Sequence, residues 1–95
     1  ADYRLWPEAA HPGFVEDTAL ATRWLAAREP ARRLVLMGHS AGAFNTAAVA
    51  LDPRWGARDL VRGFIGVAGP YDFLPEEVTP PAIFAGLSRV EAVPR

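Results

Sequence analysis

The apolar residues of this chain fall into two kinds of pattern. From Phe14 to Arg28 they recur at helical spacing. Leu20 and Trp24 are four residues apart, as are Ala21 and Leu25, and at about 100° per residue they share one stripe. Glu16 and Arg23 lie off that stripe, and Pro30 ends the predicted helix at residue 28. Residues 33–38 and 61–68 show no alternation. Arg33-Leu34-Val35-Leu36-Met37-Gly38 and Val61-Arg62-Gly63-Phe64-Ile65-Gly66-Val67-Ala68 read as strands covered on both faces, as in a parallel sheet. Between them, residues 41–51 are small and apolar nearly all round, which predicts a buried helix ending at Asp52-Pro53. Residues 1–5, followed closely by Pro7, read as the tail of a strand that runs into a loop.

Strand, helix, strand, helix, strand with short connections predicts one α/β domain built on a parallel sheet. Beyond Gly69-Pro70 the loop and tail of residues 69–95 carry Pro75, Pro80 and Pro81, with a short helix expected over Ala82 to Leu87. There is no internal repeat and no low-complexity segment.

Composition narrows the chemistry. An apolar share of 51% in 95 residues suits a globular core, and a net charge of −1 offers no surplus to neutralise nucleic-acid phosphates. All ten basic residues are Arg and there is no Cys, which excludes Schiff-base lysines, thiolate nucleophiles, disulfides and thiolate-ligated zinc. No metal-ligand spacing occurs, no cofactor is implied, and no run approaches the roughly 18 apolar residues of a membrane span. The start at Ala1 shows no features of a signal peptide, so a cytoplasmic location is expected.

Serine is therefore the nucleophile with a credible setting. Gly38-His39-Ser40-Ala41-Gly42 fits G-x-S-x-G where a buried strand meets a buried helix, the context of a nucleophile elbow. A serine at the tip of such a turn takes a strained backbone, with Gly38 and Gly42 expected to supply room that a Cβ would fill. The turn presents Ser40 Oγ at the C-terminal edge of the sheet. The helix that follows aims its N-terminus at the same point, so Ala41 N–H can bind an oxyanion.

Met37-Gly38-His39-Ser40-Ala41-Gly42-Ala43 resembles the elbow of the α/β-hydrolase esterases, near the hormone-sensitive-lipase-like carboxylesterases and the arylformamidases. Asp2-Tyr3-Arg4-Leu5-Trp6-Pro7-Glu8 resembles the segment at the end of that branch's fourth strand, and Phe14 to Leu25 its next helix. Gly69-Pro70-Tyr71-Asp72-Phe73 resembles the loop after the sixth strand. The resemblance covers roughly residues 1 to 75. It implies the central portion of an α/β-hydrolase parallel sheet, with helices on both faces. It also implies hydrolysis of a small carboxylic ester through an acyl-enzyme on Ser40, without a cofactor. Amide or formamide hydrolysis is the close competitor, and no oligomeric state follows.

Departures from that family matter as much. Nothing matches its H-G-G loop, and no His follows His39 to serve as the triad base. The resemblance thus implies a slice of a larger hydrolase. The contrasting expectation is an inactive fragment that at most binds a partner or itself through exposed strand edges. His39, within the elbow, is expected to be a packed structural residue, and His11 a surface residue of a Pro-rich loop. Asp72 stands where some α/β hydrolases take the triad acid. The branch resembled here takes it after the next strand, so a role bracing the loop is preferred. Gly63, Gly66 and Gly69 are better explained by close strand packing than by phosphate binding, and Glu76-Glu77 by a solvated loop. Trp6, Trp24 and Trp55 read as core or edge packing.

Overall fold

The computed structural model describes residues 1–84 and 86–93. Along the chain follow α1 (Gly13–Arg28), β1 (Leu34–His39), α2 (Ala41–Leu51), β2 (Val61–Val67) and α3 (Arg89–Ala92). β1 and β2 are parallel neighbours, with Leu36 opposite Phe64, Met37 opposite Ile65 and His39 opposite Val67. Parallel neighbours need a crossover connection, which α2 supplies. The α/β alternation and the parallel pairing expected from the sequence are borne out, and α1, β1, α2 and β2 lie within a residue of the ranges 14–28, 33–38, 41–51 and 61–68.

α2 is buried from Ala43 to Val49, as its composition requires. It packs along both strands and against α1, and its alanines let the neighbouring backbones come close. The core gathers on this side of the sheet. Val15 and Ala19 of α1 meet Phe44, Ala48 and Val49 of α2, together with Ala57, Phe84 and Ala92.

Four expectations are corrected. Residues 1–5 form no strand. A strand persists only where its N–H and C=O groups find a ladder partner. Here Arg4 instead gives its backbone N–H, Nε and Nη2 to the Asp17 carboxylate of α1, at 3.0, 2.9 and 2.8 Å. Second, Trp24, expected to pack in the core or at an edge, is exposed along with Leu20 of the same stripe; the buried residues of α1 are Val15, Ala19 and Thr22. Small side chains suit the close approach to Ala-rich α2, while Trp24 is roofed by the Arg28 guanidinium at 4.7 Å. Buried Thr22 is satisfied by donating its hydroxyl to Thr18 O.

Third, one face of the sheet is open. Val35, Met37, Ile65 and Val67 are exposed, Met37 by 72%, because no described element lies over them. Helices on both faces are therefore not seen among the described residues. Fourth, the tail is more structured than a loop. It holds 3-10 turns at Pro75–Glu77 and Pro81–Phe84, then α3. Residue 85, inside the helix expected over 82–87, lies outside the described residues, as do residues 94 and 95.

One ion pair ties this tail to α2. Asp52 closes α2 and is 0% exposed, and it accepts Arg54 N–H at 3.0 Å and Arg54 Nη2 at 2.6 Å. Arg54 also donates to Glu91 O and Val93 O, at 3.1 and 3.2 Å. Removing the carboxylate leaves a half-buried cation without its counter-charge, which costs roughly 3–5 kcal/mol for a buried pair. Asp52→Ala is expected to lower the urea midpoint strongly. Asp52→Ala with Arg54→Ala is expected to cost less than the two single changes summed, as a double-mutant cycle reads directly.

Candidate active site at the strand–helix turn

Ser40 lies between the last residue of β1 and the first of α2, with φ 53° and ψ −119°. A residue with a Cβ rarely adopts positive φ, and such strain persists only where the surroundings over-determine it. Here they do. Ser40 N–H donates to Val67 O of β2 at 2.8 Å, and Ser40 O accepts from Ala43 N and Phe44 N at 3.0 and 3.2 Å. Its hydroxyl makes no capping bond to α2, although serine at this position commonly does, and the residue is exposed. The side chain is thus held at the head of α2 and left for other use. Ala41 and Gly42 open that helix, where N–H groups have no intrahelical acceptor.

Gly38 is fixed by contact. A Cβ there would sit 2.2 Å from Gly42 O and 2.7 Å from Ala43 N, so the strand passes directly beneath the helix start. Gly42 itself does not need to be glycine for packing: a Cβ there would meet no atom within 4 Å. The expectation that both glycines relieve crowding is corrected to Gly38 alone, because it is the backbone of Gly42 that does the crowding. A second strained residue stands beside the turn. Ala68, one residue past the end of β2, has φ 52° and follows the carbonyl that holds Ser40.

Two cavities flank α2. One, of about 310 Å³, has walls of Leu5, Trp6, Phe44, Phe73 and Phe84, and reaches Ala41 at the head of the helix. The other, of about 300 Å³, lies between residues 1–3, α1 and β1 and reaches Gly42. Asn45 borders both. It is 2% exposed, and neither Oδ1 nor Nδ2 has a hydrogen-bond partner. Sequence reasoning passed over this residue, although a carboxamide inside a helix whose one other polar side chain is Thr46 was the available signal.

The family model described as alpha/beta hydrolase fold matches residues 1–83. The chain belongs to the α/β-hydrolase family. No curated protein and no solved structure matches it. A hydrolase of the α/β fold agrees with a strand–serine–helix turn at the C-terminal edge of parallel strands.

The remaining candidates of this α/β hydrolase are not gathered at Ser40. His39 is exposed opposite Val67 rather than packed, because its face of the sheet is the open one. His11 is not a surface residue. Its ring lies among Phe84, Phe14, Trp55 and Phe44, with centroids 5.0, 5.6, 5.9 and 6.0 Å away, and its Nδ1 is buried without a partner. Burial, then the Arg54 cation, push its pKa down to about 4 against a lesser opposing bond to the Glu91 backbone. Asp72 is exposed and binds Arg89 of α3 through Nε at 2.6 Å and through Nη2. That hydrogen bonding holds its carboxyl below the usual carboxylate value. Gly66 and Gly69 make room for Tyr71, whose ring and hydroxyl occupy the space a Cβ would take, whereas Gly63 faces no neighbour within 4 Å. Among the described residues no cluster of metal-ligating side chains is found.

Two expectations follow. Ser40→Gly should raise stability by about 1 kcal/mol through relief of positive φ, while Gly38→Ala should lower it by about 1–3 kcal/mol by forcing the turn apart. Chemical denaturation of both variants checks the pair. For His11, the unfolded side chain titrates near its ordinary 6.5 and the folded one near 4. Between those values the unfolded state holds the extra proton, so stability is full above pH 6.5 and falls as pH drops toward 4. The loss is at most about 3 kcal/mol, reduced by the screening that residual exposure allows. Asp17 and Asp72, both held below 3.8, lose their stabilisation only at lower pH, so the windows separate. Denaturation midpoints taken against pH should show this slope in the natural chain and a flatter one in His11→Leu.

Proposed function

We propose that this hydrolase cleaves carboxylic esters with Ser40 as the nucleophile. The observation that carries the reading is the backbone of Ser40, strained at φ 53° with its hydroxyl exposed and unused as a cap. An enzyme has reason to keep such a conformation where the side chain must stand clear of both strand and helix. Attack of Ser40 Oγ on the ester carbonyl would give a tetrahedral oxyanion. Ala41 N–H, at the positive end of α2, is suited to stabilise it. Collapse expels the alcohol and leaves an acyl-serine, which water then hydrolyses. A histidine taking the Ser40 proton and an acid orienting it complete the mechanism in this reading. Asp72 in its pairing with Arg89 is a poor candidate for that acid. The apolar cavity that reaches Ala41 suits the organic part of a small ester. Amide and formamide bonds are chemically alike at the carbonyl, and the turn alone does not choose among leaving groups. Proteins of the aqueous cell interior fit the charge and composition, so a cytoplasmic location is part of the same proposal.

A second reading draws on the exposed Val35, Met37, Ile65 and Val67. It makes this chain a binding or self-associating module without turnover. One experiment separates the two. The chain is incubated with p-nitrophenyl butanoate, followed by peptide mass spectrometry and release of the coloured alcohol. The nucleophile reading expects a slow, stoichiometric butanoyl adduct on the Ser40 peptide, absent in Ser40→Ala, with little turnover because neither histidine is hydrogen-bonded to Ser40 Oγ. Lack of that adduct would sink it and favour the module. Sustained turnover that requires Ser40 would demand a base, and His11→Ala would be the first variant to assay.

A further inference from the structure

We infer that Asn45 is a ligand-binding residue that makes the apolar cavity beside Ala41 selective for a moiety carrying a carboxamide. The inference rests on the reading that this cavity holds the organic part of the substrate. A carboxamide carries two N–H donors and an oxygen with two lone pairs, and buried groups of this kind are almost always satisfied. Asn45 is 2% exposed with both its polar atoms unpaired. Leaving them unpaired carries a desolvation penalty that an apolar residue of the same shape would avoid.

Its position explains what such a group could do. Asn45 lies one helical turn beyond Ala41, and both residues border the same cavity of about 310 Å³. The rest of that wall is dominated by Trp6, Phe14, Phe44, Phe73 and Phe84. A polar side chain in an aromatic-walled site acts as a filter. A ligand that matches both its donor and its acceptor recovers the missing bonds, and one that matches neither leaves them unmade. Another carboxamide is the complement that offers one acceptor and one donor side by side. Tyr3 also borders both this cavity and the neighbouring one of about 300 Å³.

The test uses two small probes, butanamide, whose primary carboxamide sets an N–H beside its carbonyl oxygen, and dipropyl ether, with the side-chain amide resonances of Asn45 in the uniformly ¹⁵N-labelled chain as the readout. Titration of the amide should shift the Asn45 NH₂ pair and bind about tenfold more tightly than the ether, a preference equivalent to roughly 1.4 kcal/mol. Asn45→Leu should keep its fold, with a melting temperature no lower than that of the natural chain, and the preference should fall below about threefold. Equal binding of the two probes, or amide binding that leaves the Asn45 pair unmoved, would overturn the inference. So would a melting temperature that collapses in Asn45→Leu but not in Asn45→Asp, since that marks a polar side chain whose hydrogen bonding holds the fold. Repeating the titration on Ser40→Ala separates the two proposals. Binding there is expected to be unchanged even if Ser40 proves not to be acylated.

Discussion

Everything near the head of α2 depends on one close approach between two pieces of backbone. Gly38 passes so near the carbonyl of Gly42 that no side chain fits between them. The chain must therefore reverse within a single residue, and Ser40 takes the strain at φ 53°. The hydrogen bond from Ser40 N–H to Val67 O then locks the turn to the neighbouring strand. A parallel pair, a crossover helix and a serine held off its usual capping role are consequences of the same packing. The adjacent strain at Ala68 shows that both strands leave the sheet through unusual backbone at this edge, the edge where α/β sheets carry their chemistry.

A second organisation, electrostatic rather than steric, holds the other end of α2. Buried Asp52 cannot stand without a cation, and Arg54 supplies it while also binding two carbonyls of the C-terminal segment. The same cation helps keep His11 neutral, inside an aromatic cluster built from residues 14, 44, 55 and 84. One charge pair thus joins the end of the helix, the tail and the protonation of a histidine far away in sequence.

What could be read from the sequence divides along the same lines. β1, the elbow, α2 and β2 were legible because each is signalled within its own few residues: unbroken apolar runs, a glycine two before the serine, a proline after the helix. Residues 1–5 were misread because a strand is a property of pairs, and Arg4 found Asp17 before any ladder partner. Which face of α1 turns inward was not legible for a related reason. Spacing shows which residues share a stripe, not which stripe the neighbouring helix will select, and Ala-rich α2 selected the small one. His11 was misplaced because its burial is made by Phe84 and Trp55, which no local pattern connects to residue 11. Asn45 was visible as the one carboxamide in its helix, yet its meaning arises only when the cavities on either side are seen.

The open face of the sheet has a calorimetric consequence. Val35, Met37, Ile65 and Val67 meet water in the folded chain as well as in the unfolded one. Their hydration therefore contributes little to the difference between the two states. A heat-capacity change of unfolding near 12–15 cal/mol/K per residue reflects the burial of an ordinary core. This fold, with its core gathered on one side of two strands, should fall below that range and give a flatter stability curve. The denaturant dependence should be shallower for the same reason, because both quantities count only the apolar surface that folding removes from solvent.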